Sequence, residues 1–158
     1  MLSSYWVNIY SMNKKFKIIG LGEILWDILP GGKKLGGAPT NFAYYVSKLG
    51  QMGIVASRIG NDSLGNEILE SMKRLELNEE YIQIDSNYPT GTVSVELDSK
   101  GQPDYTIHKN VAWDYLSFND SWKHLAMEAD IICFGTLAQR SRESKNTISE
   151  FLKSACQT

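Results

Sequence analysis

Residues 36–50, GGAPTNFAYYVSKLG, constrain the fold more than any other stretch of this chain. Two adjacent glycines let the backbone pass close to a ligand with no Cβ in the way, and Pro39 suits a first helical turn, where its missing N–H is no loss. From Phe42 the apolar residues recur as Phe42, Tyr45, Val46 and Leu49, the spacing of one helical face, and Gly50 supplies the stop. The pattern predicts a loop running straight into a helix that packs by that face. Its first turn would bring free N–H groups and a positive dipole end beside the Gly36-Gly37 backbone and the Asn41 amide. Such a corner suits a hydroxyl-rich ligand, although Gly-Gly-x-Pro before a helix is also a common plain junction.

The elements around this corner alternate. FKIIGLG from Phe16 reads as a buried strand, EILWDILP as a second, and GIVASRIG after Gly50 as a third. Asp62 or Ser63 can then cap a helix with the stripe Leu64, Ile68, Met72 and Leu75. Trp122, Leu125, Ala126 and Ala129 mark a short helix, DIICFG another buried strand, and Ile148, Phe151, Leu152 and Ala155 a last helix. This βαβα rhythm predicts an α/β fold with an open, mainly parallel sheet covered by helices on both faces. Ligands of such sheets bind beyond the carboxyl ends of the strands, where the Gly36-Gly37 loop would lie. The middle of the chain differs. YIQID, TGTVSVEL and PDYTIH are strand-like, Val93, Val95 and Leu97 alternate with Thr92, Ser94 and Glu96, and residues 98–101 supply a turn. Together with EILWDIL they predict a small antiparallel sheet whose apolar face must cover something.

Composition narrows the function. With 158 residues, 42% of them hydrophobic, the chain can bury a domain-sized core. A formal charge of −2 without a Lys/Arg block gives no nucleic-acid footprint. Cys133 and Cys156 form neither a metal motif nor a disulfide framework, which suggests a reducing compartment, and the cytoplasm is the expected location. The first eleven residues lack a basic region and are shorter than the ~20 residues of a membrane span, so residues 1–15 read as an extension and no membrane association is expected. Without a leader, the Asn61 and Asn119 sequons read as helix caps. Gly20-Leu21-Gly22 fails as a dinucleotide fingerprint, because Leu25 stands where the third glycine belongs. Gly31 and Gly36 fail as a P-loop, because Gly37 stands where the lysine belongs.

Gly36, Gly37, Pro39, Asn41, Ala43, Gly50 and Gly60 fill every position of a longer pattern, and in it the chain resembles the PfkB-type carbohydrate kinases, the ribokinase family. The likeness runs from about Lys17 to the chain end, and GEILWDILPGG followed by GGAPTN is most similar to fructokinase-type members. It implies a ribokinase-like fold, a small β-lid with strands within about residues 23–29 and 80–110, and a site for a small-molecule sugar. It also implies ATP and Mg2+ as cofactors, and dimers formed through the lid in many members. From the residues alone, Asp27 is a lone acid among apolar neighbours. It either meets water or a loop at a strand end, or it needs a ligand. The resemblance assigns it to sugar hydroxyls, with Gly36, Gly37 and Asn41 closing on the same ligand.

Other positions depart from the family. Where relatives often carry an arginine before an Ala- or Ser-x-Asp stretch, this chain has Lys109, which is either a weaker substitute or a solvated lid lysine. Gln139 stands where some relatives place an acid that touches sugar. Neither His108 nor His124 has neighbours at metal-ligand spacing, so no metal is assigned. The GAGD motif, which in the family carries the general base and the phosphate-binding helix N-terminus, does not occur in these residues. No catalytic residue is therefore assigned, the C-terminal ATP-binding part of the family is taken as absent from these residues, and by themselves they are expected not to turn over. The alternatives are a non-catalytic sugar-binding half-protein or a nucleoside kinase of the same fold.

Overall fold

The structure is a computed structural model that describes residues 14–97 and 102–156. The expected N-terminal extension, up to residue 13, and the expected 98–101 turn lie outside the described residues.

Two four-stranded sheets carry the architecture. The first has the order β5-β4-β1-β8 and is parallel throughout: β1 (Lys17–Leu21) pairs with β4 (Met52–Gly60) on one side and β8 (Ile131–Phe134) on the other, and β4 pairs with β5 (Ile82–Asp85). Successive side chains of a strand face opposite ways, and the core divides accordingly. Ile19, Leu21, Ile54 and Ala56 pack with Trp122 and Leu125 of α3 (Asp120–Met127) and with Ile148 and Phe151 of α4 (Arg142–Ala155). Val55 and Ile59 point the other way, towards Ala43 of α1 (Ala38–Lys48) and Ile68 and Met72 of α2 (Ser63–Arg74). Helices thus cover both faces. Caps set three of the helix starts: Asp62 accepts from the Gly65 amide, Asn119 from Trp122 and Ser141 from Ser144. Asn119 caps as expected, whereas at the other sequon the cap is Asp62 and not Asn61.

The second sheet has the order β3-β2-β6-β7, with β2 (Leu25–Leu29), β3 (Gly32–Gly36), β6 (Thr92–Leu97) and β7 (Pro103–Ile107). It is mixed and not purely antiparallel, because β2 and β6 run parallel. YIQID does not belong to it: β5 extends the main sheet, carrying the buried Asp85 to the Arg58 guanidinium at 2.9 Å. GKKLG, to which the sequence assigns no strand, forms β3 because the turn after Leu29 folds it back on β2.

Two further expectations change. The buried face of α1 is Pro39, Thr40, Ala43 and Val46, while Phe42, Tyr45 and Leu49 are exposed. The reason lies in the strands beneath: a Cβ on Gly20 would fall 2.1 Å from the Pro39 carbonyl oxygen, and one on Gly53 would fall 2.0 Å from that of Ala43. At that separation only the small face fits. IICF is likewise not buried, because β8 is the sheet edge and Ile131 and Phe134 are 51% and 42% exposed.

Candidate functional site

Asp27 sits in the middle of β2, and its neighbours on the same face are set by register: Lys34 on β3 and Val93 on β6, with Ile107 beyond on β7. Leu25, Leu29, Val93 and Val95 form one apolar cluster on this face. No protein group among the described residues donates a hydrogen bond to the Asp27 carboxylate, and partial burial raises its pKa above the ordinary aspartate value. A carboxylate losing solvent in this way, with no donor in return, is left available to a donor from outside the chain.

Gly36 lies hard against it. A Cβ there would fall 2.4 Å from Asp27 Oδ2, so any larger residue would push the carboxylate out of its present position. Gly37 follows with φ 107°, a left-handed conformation that favours glycine, and serves as the N-cap of α1 without a side-chain cap. On its far side a Cβ would fall 2.3 Å from the Glu23 carbonyl oxygen. The Gly36-Gly37 backbone is therefore held between the Asp27 carboxylate and the Glu23 main chain, and it turns directly into the positive end of α1.

Glu23 was not singled out in the sequence, yet it is 2% exposed. Its Oε1 accepts the Ala38 amide at 3.2 Å and its carbonyl oxygen accepts the Thr40 hydroxyl at 3.1 Å. Oε2 is buried without a partner among the described residues, and burial raises the carboxyl pKa against the opposing pull of the amides and of Arg140. The only sequence signal for it is an acid directly after a buried strand.

The other candidates separate from this group. Asn41 is exposed in the first turn of α1, beside a cleft lined by Leu35, Thr40, Tyr44, Leu75 and Leu77 that Asp27 does not line. Lys109 is exposed and lines a cleft of about 250 Å³ with Asn110, Asp114, Tyr115, Arg140 and Glu143. There Arg140, which the sequence reading passed over, holds the buried Asp114 through bonds of 2.7 and 2.8 Å and lies over the Trp113 ring at 4.1 Å. Its planar fork is committed to that pair. Gln139 is half-buried and donates from Nε2 to the Gly135 carbonyl at 2.9 Å, tying the turn after β8. A separate cleft of about 390 Å³ lies at the far end of α1, beside Ser47, Lys48, Gln51 and Glu76. Among the described residues no group of three or more His, Cys, Asp and Glu side chains gathers as a metal cage, and no helix is long and apolar enough to cross a membrane.

Comparison with known proteins places these features in context. Residues 30–157 match the model of the pfkB family carbohydrate kinases. A protein of Pyrococcus horikoshii described as an uncharacterized sugar kinase is 30% identical over 155 residues, covering 90% of this chain and 49% of that protein. Its crystal structure superposes with a TM-score of 0.77 over 86% of this chain and 48% of its own, and the same kinase has been solved in complex with ATP. A fructokinase of Klebsiella pneumoniae is 34% identical over 96 residues, covering 58% of this chain and 31% of the relative. The fructokinase structure from Halothermothrix orenii, at 24% identity and TM-score 0.78, covers 90% of this chain and 54% of its own and shares the fold. The chain spans about half the length of the first of these relatives.

Proposed function

This chain belongs to the pfkB family of carbohydrate kinases, and from that premise we propose that it forms the sugar-holding portion of an ATP-dependent kinase of fructokinase type. The whole enzyme would transfer a phosphoryl group to a hydroxymethyl group of fructose or a related sugar, in the cytoplasm, with magnesium accompanying the nucleotide. The observation that carries the reading is the Asp27 carboxylate, partly desolvated on the lid sheet, without a donor among the described residues, and pressed against the Gly36 backbone.

The chemistry follows from that geometry. Asp27 is an acceptor-only group at neutral pH and takes the protons of sugar hydroxyls as hydrogen bonds. Gly36 keeps a side chain away from the Asp27 carboxylate, Gly37 lets the turn pack on the Glu23 main chain, and the first turn of α1 contributes N–H groups of partial positive charge. The apolar lid face around Asp27 excludes water, so that a transferred phosphoryl group would meet the sugar and not solvent. Phosphoryl transfer needs little covalent chemistry from the protein but much charge stabilisation, and these residues contain no GAGD motif to provide it. On this reading they bind sugar and leave the transfer step to groups that they do not contain.

Calorimetric titration of fructose into the complete gene product tests the assignment. Asp27→Ala removes a charge-assisted acceptor and should weaken binding by about 1.5 to 3 kcal/mol. Unchanged affinity in this variant would overturn it.

A further inference from the structure

The main sheet changes winding direction at β1. From β1 the chain reaches β4 by way of α1 on one face, and later it reaches β8 by way of α3 on the other. In open α/β sheets the crevice beyond the carboxyl ends at such a point is where ligands sit. Glu23 is the first side chain past the carboxyl end of β1, since Gly22 precedes it, and Gly135 directly follows β8 across the crevice. A Cβ on Gly135 would lie 3.7 Å from both Glu23 carboxyl oxygens, so the two turns are in contact there.

A carboxyl group is a poor choice for filling this space. Oε2 is closed off from solvent with no partner among the described residues, and a buried polar atom left unsatisfied weakens a fold. The same residue nevertheless grips the first turn of α1 twice, through its side-chain Oε1 on the Ala38 amide and through its main-chain carbonyl oxygen on the Thr40 hydroxyl, and that carbonyl closes one side of Gly37. The other side of the dipeptide is closed by Asp27 at Gly36. Resting on the sugar reading above, we propose that Glu23 is a positioning residue for the sugar, whose carboxylate fixes the Gly37-Ala38 turn so that its backbone faces the ligand held by Asp27. On this proposal the unpaired Oε2 is a cost carried for the Oε1 bond to the Ala38 amide at the positive end of the helix.

This makes a signature that packing alone does not produce, in which sugar affinity and stability move in opposite directions. Glu23→Gln keeps the shape but removes the charge. The complete gene product carrying it should bind fructose about tenfold more weakly, with a melting temperature equal to or above that of the parent. Thr40→Val, which removes the second grip at constant volume, should weaken fructose binding a few-fold. A merely structural Glu23 would lower affinity and melting temperature together, and that result overturns the inference. So does parent-like fructose affinity in both variants while Asp27→Ala has lost binding. If the parent itself binds no fructose, or if Asp27→Ala binds as the parent does, the sugar reading fails and takes this inference with it.

Discussion

Helix α1 has two faces that follow opposite rules. Thr40, Ala43 and Val46 are buried against the sheet, whereas the larger and more apolar Phe42, Tyr45 and Leu49 stand 36%, 65% and 81% exposed. Burial of apolar area favours the second face by a wide margin, since a fully buried Phe or Leu side chain contributes roughly 1.5 to 3 kcal/mol. Proximity overrides that preference. With Gly20 and Gly53 beneath it, the helix backbone sits so close to β1 and β4 that only small side chains fit between them. The gain is positional: a helix so seated brings its first turn, and the Gly36-Gly37 backbone, directly over the carboxyl end of β1.

The largest expected effect is at the close-packed face. Gly53→Ala puts a Cβ 2.0 Å from the Ala43 carbonyl oxygen and 2.6 Å from Ser47 Oγ, so α1 must move as a body. Urea denaturation should show a loss of about 3 kcal/mol or more, at the upper end for overpacking. A loss below about 1 kcal/mol would mean that the helix rides higher than this and that its small face has another cause. The open face should behave in the opposite way. Phe42→Ala, Tyr45→Ala and Leu49→Ala should each change stability by no more than about 0.5 kcal/mol, as surface substitutions do. A cost of about 2 kcal/mol at any of them would show that the face is covered in the working protein, and the contrast between the two faces would then be one of timing in assembly.

The same contrast explains what could be read in advance. Helices α2, α3 and α4 were legible because their stripes, such as Ile68 with Met72 and Ile148 with Phe151, are both apolar and buried, and because side chains at or next to the first residue can cap them. The buried face of α1 was not, because it depends on glycines at positions 20 and 53, and nothing in the helix itself announces them. Alternation marked YIQID as a strand but could not say which sheet it joins, since pairing partners are a long-range matter. The two lysines of GKKLG hid β3, whose first three residues are solvent-facing. Within the site, Asp27 stood out as a lone acid among apolar residues. Glu23 did not, because its burial is produced by the turn of α1 folding back over it, a contact between residues 15 apart in sequence.

The central claim is that a sugar sits against the Asp27 carboxylate and the Gly36-Gly37 turn. A nuclear magnetic resonance titration of the isotopically labelled complete gene product with fructose follows each backbone amide separately. The account predicts the largest shifts at Gly36, Gly37 and Ala38, at the junction of β3 and α1. If these amides stay still while those of Ser47, Gln51 and Glu76 move, the ligand has gone to the cleft at the other end of the helix, and the assignment of the sugar corner is wrong.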